Sequence, residues 1–431
     1  MNLVPLILSA FLWLCVGMSS ATLAQIPIPA TGRAETLTLS AALQRVFERN
    51  PELTASELEI QAASARMLQA GVRPNPELFT EIQNLPAIAS GDLFRTTEAT
   101  VSISQRLEMG AKRDLRVEAA RRDKDLAGRN LDLAKTDLGA RTRQAFYEVL
   151  ANQERLRNSG ELTRLASQSH SVVMDRVAAG KASPVEQTRS IVALAAAQLE
   201  EEKQAKELAA SKDRLASLWG GDLHDFSKAE GQFQIPPVPP APRLCAESSP
   251  DLLLASAIVE SRHAELSLEQ AMRKPDLTLT AGYRRSNPEM YNAWIAGISI
   301  PLPIFDKRRG AIAEARARAE KASSEKSAVE RILRARLAQA GHDYDMAAVE
   351  STSLSKTALP AAAEVLTATE EGYRLGKFEY LSVIDSQRTY AELQRKYIEA
   401  VASGLKAAVE MERFAGCEPD RSRQEEIHDE K

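Results

Sequence analysis

Pro76-Glu77-Leu78 and Pro275-Asp276-Leu277 are variants of one tripeptide placed 199 residues apart, and Pro51-Glu52-Leu53 and Pro250-Asp251-Leu252 keep the same spacing. Lys112-Arg113, with Glu118-Ala119 behind it, recurs 196 residues on as Arg308-Arg309 and Glu314-Ala315. Gly180-Lys181 recurs at that same 196 as Gly376-Lys377. Four anchors that hold one offset to within three residues, in segments that otherwise differ, identify a tandem duplication of a unit of about 190 residues. Whatever one half builds, the other builds beside it.

Working outward from the anchors, each half reads in the same order. Thr38-Leu39-Ser40 supplies cap-like residues ahead of the periodic Ala42, Leu43, Val46 and Phe47. Asn50-Pro51 interrupts this helix, and a second helical run follows to about Ala70. Residues 250–273 are its counterpart. The period then drops to two. Ala99, Val101 and Ile103 alternate with Thr100, Ser102 and Ser104, and Leu277, Leu279, Ala281 and Tyr283 alternate with Thr278, Thr280 and Gly282. Trp294, Ala296, Ile298 and Ile300 form another such series, and Leu78, Thr80 and Ile82 a weaker one. Two strands per half, joined by loops rich in Gly, Ser, Asn and Pro, predict a hairpin inserted between helices. Four strands cannot close a barrel, whereas three chains supply about twelve, an even number that can close with its apolar face toward lipid.

After each hairpin the spacing predicts a helix far longer than globular domains use. From Gly110 to Val177 there is no proline, and Leu126 with Leu133, and Leu131 with Leu138 and Ala145, repeat at seven residues. At 1.5 Å per residue this run is about 100 Å long. The matching helix spans Gly310 to Leu375, with Pro360 inside it as an expected kink or break. Each long helix ends at a Gly-Lys turn and returns, over 184–218 and 380–414. The returning helix covers half of its length, and the segment that precedes the hairpin covers the other half.

The resulting division is a signal peptide at 1–24, an N-terminal leader at 25–37, a first repeat at 38–219, a Pro-rich connector at 220–249, a second repeat at 250–416 and a disordered tail at 417–431. The first repeat carries a β-hairpin at about 76–106 and a turn at 178–184; the second carries a hairpin at about 275–302 and a turn at 374–380. The apolar run Leu3 to Met18 followed by Thr22-Leu23-Ala24 reads as the export signal. It lacks a preceding Lys or Arg, which leaves an uncleaved anchor open. Lipidation at Cys15 is the lesser alternative, because Leu14 is too bulky for the small residue such sites favour. No later stretch is apolar for the length a membrane-spanning helix needs.

Only 5% of the 431 residues are aromatic, which suits long helices, and a net charge of -4 argues against nucleic acid as a partner. No enzyme site is visible. The histidines His170, His224, His263, His342 and His428 stand singly, with no His/Cys pair at metal-ligand spacing and no Gly-rich phosphate loop, so neither a cofactor nor a bound metal is expected.

Asn75-Pro76-Glu77-Leu78, Ser104-Gln105-Arg106-Leu107-Glu108, Ala111-Lys112-Arg113, Ala179-Gly180-Lys181-Ala182-Ser183-Pro184, Pro301-Leu302-Pro303-Ile304-Phe305-Asp306 and Tyr373-Arg374-Leu375-Gly376 resemble the outer-membrane efflux channels of the TolC type. Within these, the resemblance is to the heavy-metal (cobalt, zinc, cadmium) branch that works with RND pumps, and it covers residues 38–416. It implies a mainly α fold with a small β part. It also implies a homotrimer with a twelve-strand outer-membrane β-barrel and a twelve-helix periplasmic tunnel. The implied function is a passive exit duct for metal cations. Its partners would be outer-membrane lipid, a periplasmic adaptor and an inner-membrane RND pump. Drugs or a secreted polypeptide are alternative cargoes. A periplasmic coiled-coil scaffold without a pore is the alternative of another class, and the duplicated unit speaks against it.

The resemblance places the docking and gating end at the two turns. Gly180, Lys181, Pro184, Gly376 and Lys377 would form the tip that meets the adaptor, and Glu186, Tyr373, Lys377 and Asp385 would govern the aperture. Asp385 is expected in a three-fold acidic ring, and Glu186 is expected to pair with Lys377 to hold the end closed. Ser382 stands where a second acid can occur in the family, so the ring implied is a single one. The competing reading is structural: Gly permits φ > 0 where a helix ends, Ser183-Pro184 starts the next helix, and the charges are solvated helix ends.

Two cysteines lie beyond the signal, Cys245 in the connector and Cys417 past the last helix. In an exported chain an even pair is either a disulfide or two free thiols. Both sit where the chain returns to the middle of the tunnel wall, which predicts a bridge. Alkylation of the denatured, non-reduced protein should then label neither; labelling of both removes the bridge.

Overall fold

The computed structural model describes residues 36–84, 97–221, 225–236, 249–287 and 289–415. The signal segment, Cys15, Cys245, Cys417, His224, His428 and the tail lie outside the described residues. The chain is mainly helical with a four-stranded sheet and a two-stranded ladder among the described residues, built as two copies of one unit. In the first copy α1 (Leu39–Arg49) and α2 (Pro51–Ala70) lead into β2 (Glu77–Gln83) and β3 (Glu98–Leu107), then α3 (Lys112–Ala178) and α4 (Pro184–Ser217). In the second, α5 (Pro250–Met272) leads into β5 (Leu277–Ser286) and β6 (Tyr291–Ser299). It continues through α6 (Arg309–Ser353), α7 (Leu359–Arg374) and α8 (Tyr380–Ala415). Two short strands, β1 (Thr36–Thr38) and β4 (Lys228–Glu230), form a separate parallel pair.

The four-stranded sheet is antiparallel throughout, in the order β2-β3-β5-β6. Its register places Thr80 against Val101, Val101 against Tyr283 and Tyr283 against Trp294. One row down, Leu78, Ile103, Ala281 and Ala296 align. All four alternating series therefore share one face, since residues of equal parity in register point the same way. That face is open in the single chain: Val101, Ile103, Trp294 and Ile298 are all exposed. The opposite face is mainly polar, Phe79 and Ile295 apart, with Ser104 hydroxyl to Thr280 hydroxyl at 3.0 Å and Arg284 Nε donating to Thr100 Oγ1 at 3.1 Å. Gly282 is required here, because a Cβ would lie 2.7 Å from that of Ser102.

α3 is 67 residues long, about 100 Å at 1.5 Å per residue. No single neighbour matches it. α4 packs along the half near the turn and α2 along the half near the sheet, while α5 and α8 of the other repeat pack against it from the side. The two half-length helices meet at Asn50. Its Oδ1 accepts from the Glu52 N–H at 2.8 Å and so caps α2, while its Nδ2 donates to the Leu218 carbonyl at the end of α4 at 2.8 Å. One buried side chain thus satisfies the end of one helix and the start of the next. At the corresponding joint of the second repeat, Arg413 of α8 donates to Asp251 in the first turn of α5, at 2.6 and 3.2 Å, and to Asp137 of α3.

The main core lies at this mid-length joint. Leu37, Val46, Leu138, Phe146, Val149, Leu215, Trp219 and Phe226 are buried together there. Its cover includes the β1–β4 ladder, which the sequence reading did not anticipate: the leader and the connector zip together over three residues each. Gln153 of α3 fastens that ladder by bonding both the N–H and the carbonyl of Ala229, at 2.8 and 2.9 Å.

The regular α-helix is interrupted near Pro360, as expected: α6 ends at Ser353 and α7 opens at Leu359 with Pro360 in its first turn. Between them lies a π-helical turn, Leu354–Ala358, whose wider winding accommodates the missing N–H. One expectation needs adjustment: the helix starts align at 197 residues rather than 196. Ala111 and Arg308, both left-handed (φ 59° and 52°), precede the first helical residues Lys112 and Arg309.

The Asn50 joint yields a test of the fold. Asn50→Ala removes the α2 cap and leaves the Leu218 carbonyl unpaired, which should cost about 1–2 kcal/mol. Denaturant unfolding of the purified protein followed by circular dichroism should register that loss; an unchanged midpoint would show that the joint carries no stability.

Candidate functional site at the helical turns

Both turns end a long helix in the same way. Gly180 and Gly376 adopt φ of 68° and 78°. Lys181 N–H returns to the Arg176 carbonyl and Lys377 N–H to the Gly372 carbonyl, each at 2.8 Å. This is the Schellman pattern, and a residue with a Cβ would be strained at either glycine. Ser183 then caps α4 through its Oγ, which accepts from the Val185 N–H at 3.2 Å, with Pro184 at the first helical position.

Between the turns lies a small apolar core of Val173, Tyr373, Tyr380 and Val383. The two tyrosine rings are 5.5 Å apart. Gly372, next to Tyr373, is buried against the Phe378 ring, from which a Cβ would sit 2.1 Å away. Arg176 of α3 lies over the Tyr373 ring at 4.6 Å and donates to the Tyr373 and Arg374 carbonyls at the end of α7. A guanidinium at that position meets the negative end of the helix and the ring face together. Arg176 is thus the hub of the turn pair, although the sequence shows it only as one charge among several.

Tyr373 also reaches the other hairpin. Its hydroxyl donates to Glu186 Oε2 of α4 at 2.9 Å. Burial, and then the neighbouring Glu186 carboxylate, hold the Tyr373 phenol well above its ordinary pKa. Burial pushes Tyr380 up to about 12. Tyr373 therefore stays a protonated donor at any physiological pH, and the bond to Glu186 does not depend on its titration.

This geometry changes one expected pairing. Glu186 takes its hydrogen bond from Tyr373, and among the described residues no ion pair joins it to Lys377. The reason is packing: Tyr373 is buried between the hairpins and aims across them, whereas Lys377 lies past the turn and is exposed. Lys181, Pro184 and Asp385 are exposed as well. Of the residues singled out from sequence, the fold brings Tyr373 and Glu186 together and leaves Lys181, Lys377 and Asp385 on the surface. Gly372 and Phe378 were missed; a glycine one residue before a buried tyrosine, and an aromatic just past the turn, were the available signals.

Among the described residues no group of three or more His, Cys, Asp or Glu side chains is arranged to hold a metal ion. His170 bonds through Nδ1 to the buried Ser190 hydroxyl at 2.8 Å, which ties α3 to α4. No helix among them is long and apolar enough to cross a membrane.

Comparison with known proteins agrees with this architecture. The outer membrane efflux protein family matches residues 42–221 and 241–416, one segment for each repeat. The chain is 32% identical to the cobalt-zinc-cadmium resistance protein CzcC of Cupriavidus metallidurans over 404 residues, 93% of this chain and 95% of that one. It is 25% identical to the nickel-cobalt-cadmium resistance protein NccC of Alcaligenes xylosoxydans xylosoxydans over 69% of this chain and 67% of that one. Among solved structures, the outer membrane protein VceC of Vibrio cholerae shares the fold with a TM-score of 0.74 at 16% identity, covering 88% of this chain and 96% of that one. With both repeats matched and nearly the full length shared with such a relative, this chain belongs to the outer membrane efflux protein family.

Proposed function

We propose that three copies of this chain form an outer-membrane exit duct for heavy-metal cations. It would be driven by an inner-membrane pump that reaches it through a periplasmic adaptor. The observation that carries the channel reading is the sheet. Four strands present one apolar and one mainly polar face and end in two open edges, β2 and β6. In a bilayer an open edge leaves backbone groups unsatisfied at several kcal/mol each, so only closure through further copies satisfies it. The cargo reading rests on the relatives, named for resistance to cobalt, zinc, cadmium and nickel.

The turn end is then the periplasmic tip. Gly180, Lys181, Pro184, Gly376 and Lys377 present the surface on which the adaptor docks, and Tyr373 with Glu186 forms a latch between the α7–α8 hairpin and the α3–α4 hairpin. A hydrogen bond to a charged acceptor contributes about 1.5–3 kcal/mol, so three symmetric latches bias the end toward the closed state without deciding whether the tunnel folds. Asp385, exposed on α8, is the acid that three-fold symmetry repeats around the opening, where like charges focus potential and attract cations.

Planar-bilayer recording separates these roles. Tyr373→Phe keeps the ring and removes the donor, so closed-state conductance should rise; an unchanged conductance would reduce Tyr373 to a packing residue. Asp385→Asn should lower the preference for cations, and equal selectivity would leave that carboxylate a solvated helix residue.

The cargo is tested in the cell. Loss of the gene should raise sensitivity to cobalt, zinc or cadmium salts and leave dye and detergent sensitivity unchanged. The opposite pattern would assign the duct to organic compounds.

A further inference from the structure

The chain contains one complete example of the contact that one repeat makes with the next, and its two outer edges are the two halves of that contact. Inside the chain, β3 pairs with β5 from Glu98–Ser286 to Leu107–Leu277. At the helical end of this seam Lys112, the first residue of α3, is only 5% exposed. Its Nζ donates to Asp276 Oδ1 at 2.6 Å, and the Met109 N–H donates to the same oxygen at 3.1 Å. Since β6 is the repeat equivalent of β3, and β2 of β5, a copy that brings its β2 to this β6 reproduces the seam.

The equivalent residues can be named. Lys112 follows the left-handed Ala111 and opens α3; Arg309 follows the left-handed Arg308 and opens α6. Asp276 follows Pro275 as Glu77 follows Pro76. Both charges are thus retained in the second copy of the site, yet within one chain they are apart. Glu77 and Arg309 are both exposed, and among the described residues neither side chain has a hydrogen bond or ion pair. The adjacent Arg308 is engaged, donating to Glu269 at 2.8 Å.

The other ion pairs of the internal seam are not duplicated. Arg122 pairs with Glu260, whose equivalent is the uncharged Gln61. Arg413 and Glu412, which pair across the seam with Asp137 and Arg143, correspond to Ser217 and Ala216. The backbone ladder is curtailed as well. β3 runs on to Leu107, whereas β6 stops at Ser299 before Pro301 and Pro303, which have no N–H to offer. At this level the seam between copies has lost hydrogen bonds and kept one pair of opposite charges.

We propose that Arg309 of one copy pairs with the partner's Glu77, completing an alternating collar of Lys112–Asp276 and Arg309–Glu77 bridges where the barrel meets the tunnel. The pair rests on the trimeric reading above. Its test uses Arg309→Lys, which keeps the charge and supplies an amine that a zero-length carbodiimide can join to a carboxylate. Treatment of the detergent-solubilised protein should give dimers and trimers that survive denaturation, with a cross-linked peptide joining residues 77 and 309. Glu77→Gln in the same background should abolish that peptide. Glu77→Arg and Arg309→Glu should each lower the temperature at which trimers dissociate, and the two together should restore it. Trimers of the Arg309→Lys protein that give no such peptide, together with reversals that merely add, overturn the pair alone. A wild-type protein that never forms trimers overturns the assembly reading and the pair with it.

Discussion

The fold depends on a sheet that one chain cannot finish. Its register gathers every apolar series of the four strands on one face, and its order leaves an open edge on each side. In water such a sheet would need a cover over the apolar face; in lipid it needs its edges closed. The proposed repetition around an axis in lipid would meet this need. The duplication prepares for this, because the β3–β5 seam already shows how the end of one unit receives the start of the next.

The helices inherit the order of the strands. Each hairpin hands the chain directly to a long helix, α3 or α6, so helices that continue neighbouring strands become neighbours themselves. A helix of about 100 Å has too narrow a seam to be held by one partner of equal length here, since the returning helix is only half as long. End-to-end stacking of two shorter helices supplies the rest, and the core gathers where they meet. Asn50 and Arg413 solve the same problem by different chemistry, one with a neutral amide that caps both ends and the other with a charge held by two carboxylates. The far end is held more lightly. Its core is a few side chains, and the hairpins are joined across it by Tyr373 to Glu186, by Arg176 to the carbonyls that end α7 and by Gln387 to Ser169. A region with little buried area and few cross-links opens at lower cost than the rest of a fold.

Much of this was legible in the residues. The alternation of Val101, Ile103, Leu279, Tyr283 and Trp294 gave the strands and their common face, and the absence of proline from 112 to 178 gave the long helix. Gly180, Gly376 and Ser183-Pro184 marked the turns because each has a local backbone reason to be there. What could not be read was long-range pairing. Glu186 has an exposed lysine and a buried tyrosine as candidate partners, and only packing decides for Tyr373, 187 residues away. The β1–β4 ladder was hidden for a related reason, since three-residue strands carry no periodicity. The π-helical turn at 354–358 was visible only as a proline in a helical run. In the turn after β6, charge similarity aligned Lys112 with Arg308, whereas backbone conformation aligns it with Arg309.

The central claim is that the open sheet closes through three chains, and native mass spectrometry of the mature protein released from detergent tests it most directly. The account predicts one dominant species of three chains, extracted from the outer-membrane fraction. A folded, monodisperse monomer that stays soluble without detergent would contradict it, because the apolar face and both sheet edges would then have found their partners within a single chain.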